Sequence, residues 1–457
     1  MLRKKSRNSS VPSVQRDTVV ELLPRLNVNR SVAAWMQHIQ TLHYRTMELS
    51  LERIQTVIDR IVLRDRVPFR VVSVGGTNGK GSVATMLESV FRHAGLKTGL
   101  YTSPHLVHFN ERFVVNGRRI SDSDLIEQFE KVERFRGDVP LTFFEFGTAI
   151  AVDYFASRNV DVAILEVGLG GRKDAVNVFD ADIACITSIG IDHANWLGNT
   201  REKIGFEKAG ILRAEQLAVI ADADCPRSVR NVVQQLSVKA VFSQQDFKGC
   251  WNTSSEHSWD LTVRKPQSRS VRVQNIPVPS TPGNGQRSNA EAAATAAVLA
   301  RKYFDIPDRA IRKGIGKSRV SGRLEIVQSN PEVLLDVAHN GESVSELTEY
   351  LAANEIDGRN IAVMSALADK QIENMIHLIK KTINVWHLCG IHDERGISAR
   401  NLFRRVQPQL DSAAQIELHF NAVQAYEAAL QTAGKQDRIV VFGSFLTVGD
   451  IMAHRQV

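Results

Sequence analysis

Strand-like and helix-like hydrophobic patterns alternate along most of this chain. Val71, Val72 and Val74 make a short β-branched run that ends at Gly75. From Ser82 onward, Val83, Met86, Leu87, Val90 and Phe91 recur every three to four residues, which predicts a helix over 82–94 with one buried stripe. The runs DVAILEV (161–167), IACITSI (183–189) and LAVIA (217–221) are apolar without alternating. Strands of that kind are covered on both faces, so they predict a mostly parallel sheet with helices on each side. Upstream, 31–62 reads as helical stretches with a break around Tyr44 to Met47.

The pattern changes over 251–289. WDLTVRK (259–265) and SVRVQNIPVP (270–279) predict hairpin strands, TPGNGQRSN (281–289) is turn-rich, and an alanine-dense helix is expected over 289–304. The basic, glycine-spotted IRKGIGKSRVSG (311–322) predicts a linker. A second alternating series follows: LEIV, EVLLDVA, NIAVMSA, NVWHLCG and IVVFGS as strands, with helices over 343–353, 371–380 and 421–433. The expected organisation is an α/β nucleotide-binding domain over 1–315, whose first 30 residues are a tail and leading segment. A linker at 316–322 and a smaller Rossmann-like α/β domain over 323–457 complete it.

At 457 residues the chain is too long for one ordinary core, which agrees with two domains. Hydrophobic residues are 43% and charged residues 23%, ordinary globular usage. The net charge of +7 suits an anionic substrate or a nucleic acid. Against nucleic acid stands the lack of any compact Lys/Arg run with interleaved aromatics. Cys185, Cys225, Cys250 and Cys389 form no CxxC pair, so a reducing cytoplasmic setting is expected rather than a disulfide framework. The basic N-terminal tail has no apolar segment after it, unlike a signal peptide, and no run of 18 uncharged apolar residues predicts a membrane span. No exposed apolar stripe stands out, so a monomer is the default.

Chemistry enters at GGTNGKGS (75–82). A glycine-rich turn between a strand and a helix N-terminus lets backbone N–H groups face an anion, and Lys80 adds a point charge. The generic phosphate loop has Ser or Thr directly after Gly-Lys; here Gly81 intervenes and the hydroxyl comes at Ser82. A merely structural glycine turn is the bland alternative. Glu166 ends a buried strand and His193 follows another strand end, on the edge where open α/β sheets collect functional groups. Each has an ordinary alternative too: a cap or ion pair for Glu166, a satisfied loop histidine for His193.

The longer stretches carry a resemblance. GTNGKGS (76–82), TSPHLVHFNER (102–112), FFEFGTAIA (143–151), EVGLGGRKDAVN (166–177), SIGIDHANWLGNTREKIGFEKAGIL (188–212), SGRLEI (321–326), LLDVAHN (334–340) and VFGSF (441–445) occur in the order seen in the bacterial dihydrofolate synthase/folylpolyglutamate synthase family. That family lies within the Mur-type ATP-dependent amide ligases. The resemblance implies Gly76, Thr77, Asn78, Gly79, Lys80, Gly81 and Ser82 around the ATP phosphates, with Asn289 near adenine, Arg323 on phosphate, and Asp336 on ribose or orienting the second domain. It implies two Mg²⁺ ions held by Ser82, Glu166, His193 and Lys208, the last as a carbamylated lysine; a plain ion pair with Glu207 or Asp192 is the alternative. His339 is expected near the phosphates or the incoming L-glutamate, and Ser444 near glutamate. Dihydropteroate and reduced folates are expected against Ser103, Pro104, Phe109, Arg112, Phe144, Glu145 and Thr148, which mix flat apolar surface with polar groups. The chain departs from the family at Ser321 and Gly341, where proline is usual, and at HYRTM (43–47) ahead of the Leu-Glu-Arg-Ile stretch. The implied reaction makes an acyl phosphate that the glutamate amine attacks. Two rivals remain: a Mur-type ligase acting on a cell-wall nucleotide, and a nucleic-acid or regulatory NTPase.

Overall fold

Val71, Val72 and Val74 lie in the middle of an eight-stranded sheet. In chain order its strands are β1 Arg70–Gly75, β2 Thr98–Tyr101, β3 Phe113–Val115, β4 Arg118–Arg119, β5 Val162–Glu166, β6 Ile183–Ile186, β7 Leu217–Ile220 and β8 Lys239–Phe242. Their spatial order is β4-β3-β2-β5-β1-β6-β7-β8. The pairings along β2-β5-β1-β6-β7-β8 are parallel, and the β2–β3 and β3–β4 pairings at one edge are antiparallel. The computed structural model describes residues 31–43, 48–61, 67–251, 257–264 and 270–456. The expected tail (1–30) and the break at 44–47 lie outside the described residues.

The non-alternating runs are explained by two apolar layers. Val71 faces one layer with Phe69, Tyr101 and Phe155, while Val72 and Val74 face the other with Val83, Leu87 and Val90. That second layer is built on three helices, Lys80–His93, Asn284–Ala300 and Asp308–Lys317. The hairpin strands form a separate three-stranded antiparallel sheet, β9 Phe247–Trp251, β10 Ser258–Val263 and β11 Val271–Pro277, in the order β11-β10-β9. Trp251 and Trp259 stack across it at 4.6 Å.

Two sequence expectations need correction here. The alanine-dense helix starts at Asn284, not 289, so Asn289 sits inside it rather than at its head. Residues 311–317 are helix, not linker. Gly314 is a packing glycine: a Cβ there would collide with the backbone of Val90 on the neighbouring helix. Close helix–helix packing, rather than flexibility, accounts for that glycine, and burial overrides the local turn signal.

The second unit has a six-stranded sheet made of β12 Glu325–Ser329, β13 Glu332–Leu335, β14 Asn360–Met364, β15 Val385–Cys389, β16 Gln415–His419 and β17 Arg438–Phe442. Its order is β12-β13-β17-β14-β15-β16, with only β12 antiparallel. Helices cover both faces over two further apolar clusters. The helices predicted at 343–353, 371–380 and 421–433 are Gly341–Ala353, Ile372–Ile379 and Ala422–Thr432. Gly341, where the family favours proline, is the first helical residue, and Asn340 caps it by accepting from Ser343 N at 3.0 Å. No described helix is long and apolar enough to cross a membrane.

Candidate active site

The loop after β1 is fixed by the loop after β6. Thr77 N donates to Ser188 O at 2.7 Å, Thr77 Oγ1 donates to Gly190 O at 3.1 Å, and Thr187 Oγ1 donates to Asn78 O at 2.6 Å. Glycine is required at two points. Gly76 (φ 145°) lies against Thr187 and Gly79 (φ 83°) against the Asn289 side chain, with no room for a Cβ at either. Gly79 offers no side-chain cap to the helix that begins at Lys80. The N–H groups of that first turn therefore point out of the helix toward whatever occupies the cleft. Asn289, expected near adenine, stands against this loop.

Two buried groups and a half-buried lysine converge on the same turn. Ser82 Oγ is buried and has no hydrogen-bond partner among the described residues. Glu166, at the end of β5 and 4% exposed, accepts from Ser103 N at 2.9 Å, and its Oε2 lies 3.5 Å from where a Cβ on Gly81 would stand. Lys80 Nζ folds back onto Gly76 O (3.2 Å) and Thr77 O (3.0 Å). Burial raises the Glu166 pKa, opposed first by Lys80; burial lowers that of Lys80, opposed first by Glu166. A buried hydroxyl and carboxylate left with spare acceptor capacity suit a hard divalent cation, which takes oxygen ligands. The residues therefore fit Mg²⁺.

Lys208 ends the helix Arg201–Lys208, and its Nζ donates to Gly76 O at 2.6 Å. Burial, then the Lys80 charge, brings its pKa down to about 7. It is in neither of the ion pairs weighed from the sequence: Glu207 pairs with Arg172 at 3.6 Å, and Asp192 is engaged elsewhere. His193 has a left-handed backbone (φ 51°) at the start of the short helix Ala194–Leu197. Burial, then the Lys370 ammonium, lowers its pKa to about 4, so its ring is neutral and able to act as a ligand.

Asp192 joins the two units. Lys370 Nζ lies 2.6 Å from its Oδ1, Asn340 Nδ2 donates to Oδ2 at 3.0 Å, and His339 Nε2 is 3.4 Å from Oδ2. Asn78 Nδ2 donates to Glu342 Oε2 at 2.7 Å and exchanges hydrogen bonds with Asn340. Burial opposes ionisation of Asp192, but the His339 hydrogen bond and the Lys370 charge hold it well below the usual carboxylate range. A cavity of about 470 Å³ opens beside this clamp, lined by Asn78, Ser82, Asn289, Arg323, Asp336 and Glu346 among others. The Arg323 guanidinium stands 5.5 Å from the Phe445 ring.

Several predicted contacts are taken up internally. Asp336 accepts from Leu324 N (2.9 Å) and Ala338 N (2.7 Å), one bond per carboxylate oxygen, and so orients the segment carrying Arg323 while lining the cavity. Ser444 Oγ accepts from Leu446 N at 3.2 Å, a local helix-start contact. Glu145 is spent: it accepts from Thr142 N (2.7 Å) and Thr142 Oγ1 (2.9 Å), and pairs with Arg53 at 3.0 Å. Thr148 is fully buried and donates to Phe144 O at 2.9 Å. Neither Glu145 nor Thr148 is placed to read a ligand.

Phe109 packs at 5.2–5.8 Å from Phe113, Phe129 and Phe143, and Phe144 lies 5.7 Å from Tyr101. Arg112, buried, covers Phe109 and Phe143 and donates to His105 Nδ1 at 2.9 Å. Pro104 follows Ser103, whose N–H reaches Glu166, so this loop touches the Glu166 end of the cleft directly. Sequence reasoning missed Lys370 and left Asn340, Asp192 and His105 without assigned roles. Lys370 carries no motif of its own; its position just beyond β14, on the carboxyl-end edge, is the only signal that could have found it.

Residues 74–297 match the Mur ligase middle domain, and 322–445 match the Mur ligase glutamate ligase domain. The dihydrofolate synthase/folylpolyglutamate synthase of Escherichia coli (strain K12) is 37% identical over 424 residues, 92% of this chain and 94% of its own. The fold is that of solved relatives. E. coli FolC in complex with DHPP and ADP superposes with a TM-score of 0.85 at 35% identity, over 94% of this chain and 98% of that one. A bifunctional folylpolyglutamate synthase/dihydrofolate synthase with Mn, AMPPNP and L-glutamate bound gives 0.83 at 36% identity, over 94% and 99%. A phosphate-type loop clamped to a second unit, on a chain aligned along nearly its whole length, therefore belongs to the dihydrofolate synthase/folylpolyglutamate synthase family of Mur-type ATP-dependent ligases.

Proposed function

We propose that this chain uses ATP and Mg²⁺ to add L-glutamate to dihydropteroate, and to the γ-carboxylate of reduced folates, in a cytoplasmic setting. A carboxylate is a poor acyl donor because oxide is a poor leaving group. Phosphoryl transfer from ATP converts it to an acyl phosphate, and the glutamate amine displaces phosphate through a tetrahedral intermediate. In this reading the first-turn N–H groups and Lys80 take the β- and γ-phosphates, and Arg323 reaches them from the second unit. Ser82, Glu166 and His193 would hold Mg²⁺, which when bound neutralises phosphate charge. Lys208 is assigned as the carbamylated ligand of a second ion, supported by an amine whose pKa burial brings down to about 7 and by the lack of a carboxylate ion pair to it among the described residues. His339 and Asp192 bring the glutamate-binding unit against the phosphates. The acceptor lies against Phe109, Phe144, Arg112 and Ser103.

The observation that carries this reading is the buried, unpartnered Ser82 hydroxyl beside the Glu166 carboxylate at a helix N-terminus. ADP release is measured with ATP, Mg²⁺ and glutamate plus dihydropteroate, tetrahydrofolate or no acceptor. Release with both pterins supports the bifunctional assignment, and release with one narrows it to a single activity. Release without any acceptor, unaffected by glutamate, overturns it. In Lys80→Ala, release falls by at least ~100-fold, the usual cost of one preorganised charge.

A further inference from the structure

At the far edge of the second sheet, β15 and β16 run parallel with His387 opposite Glu417 and Cys389 opposite His419. Side chains alternate along a strand, so His387, Glu417 and His419 all leave the same face. His387 Nδ1 lies 2.9 Å from His419 Nε2 and 3.8 Å from Glu417 Oε2; His419 Nε2 is 4.0 Å from that same oxygen. The His387 side chain is fully buried and its Nε2 has no partner among the described residues, whereas His419 is 14% and Glu417 41% exposed. The cluster is thus closed behind and open to solvent in front. Nothing in the ligase chemistry uses it.

We propose that His387, Glu417 and His419 bind a divalent transition cation of the zinc class. Two imidazoles and one carboxylate suit Zn²⁺, whereas the Mg²⁺ of the nucleotide site prefers oxygen throughout. Nitrogen ligands about 2.0–2.1 Å from a tetrahedral zinc stand about 3.3 Å apart. The three donor separations, 2.9, 3.8 and 4.0 Å, bracket that spacing, so small side-chain rotations bring them to it. An imidazole–imidazole hydrogen bond accounts for the shortest distance but leaves Glu417 facing both nitrogens without bonding either. Burial lowers the pKa of both histidines, which keeps them in the neutral form that ligates. Water from the exposed side completes the coordination. The bound cation pins β16, an edge strand paired on one side only, to β15.

The full-length protein is titrated with Co²⁺ alone, read by visible absorption, and with Zn²⁺ alone, read by calorimetry. The expected result is a tetrahedral cobalt spectrum and one zinc equivalent that survives Glu166→Gln, which empties the nucleotide-site cation. Binding is lost in His419→Ala and at least ~10-fold weaker in Glu417→Gln, an exposed position whose substitution leaves the fold intact. Zinc raises the melting temperature of the wild type and not of His419→Ala. The proposal is overturned if wild type and both edge-strand variants titrate alike, if no binding is seen, or if Glu166→Gln alone abolishes it. Glutamate ligation by His419→Ala stays at the wild-type rate in every case, so this result and the reading of the nucleotide cleft are tested separately.

Discussion

Glu145 and Glu166 are the same chemical group at nearly the same depth, 2% and 4% exposed, in the same unit. Their surroundings differ. Glu145 closes a capping box with Thr142 and holds the Arg53 guanidinium, so its acceptor capacity is used up by the protein. Glu166 takes one backbone N–H, from Ser103, and otherwise faces a helix start where the Ser82 hydroxyl has no partner. A buried polar group satisfied internally serves the fold; one left under-satisfied is prepared for something that arrives. The comparison extends to the regions around them. The glycine-rich loop end concentrates unspent charge, and the side built on Phe109, Phe144 and Arg112 is an aromatic layer whose polar groups mostly bond one another.

The comparison breaks most visibly at Glu166. In Glu166→Gln, glutamate-dependent ADP formation drops by ~100-fold or more, because the cation loses its anionic ligand. The melting temperature holds or rises, since a buried carboxylate that lacks a full set of partners costs stability. Activity within a few-fold of wild type in a steady-state assay would contradict the role given to this residue.

Glu145→Gln sharpens the contrast from the other side. It keeps the shape but removes the charge that pairs with Arg53 and weakens the cap on the helix Phe143–Ser157. Stability in urea falls by about 1–3 kcal/mol, while the rate per folded molecule stays within a few-fold. A large fall in rate at unchanged stability would return Glu145 to the substrate site.

These two glutamates also mark how far the sequence could be read. Glu166 was legible because a carboxylate ending an apolar strand is out of place unless it acts, and Lys80 and Ser82 because they sit at a strand–turn–helix junction. Glu145 stood in an equally distinctive stretch, but its partner Arg53 lies 92 residues away, and no local pattern announces that pairing. The Gly314 region misled for a related reason: glycine marks both flexible chain and close helix contact, and only the neighbouring Val90 decides which. The Asp192 clamp was the least accessible part. Lys370, His339 and Asn340 meet Asp192 only because two separately built sheets dock, and docking leaves no periodicity in either half.

Lys208 gives the smallest and most specific effect. Its folded pKa is about 7, against an ordinary 10.5 for an exposed lysine. Between those values the unfolded chain still binds the proton that the folded chain has released. Stability therefore rises with pH across that window, and the penalty for burying the ammonium is full below pH 7. Lys208→Met removes the titration, so the stability of wild type minus variant, measured by urea unfolding from pH 7 to 9, should climb with a slope of about one proton. Taking the difference cancels Asp174 and Glu346, which burial also moves to about 7. Bicarbonate added to the wild type converts the neutral folded amine to a carbamate with loss of water. The unfolded ammonium still takes up its proton, so the slope persists while wild-type stability rises, and that of Lys208→Met does not. A slope equal in both proteins, with wild-type stability indifferent to bicarbonate, means that Lys208 is an ordinary charged lysine, and the second cation loses its ligand.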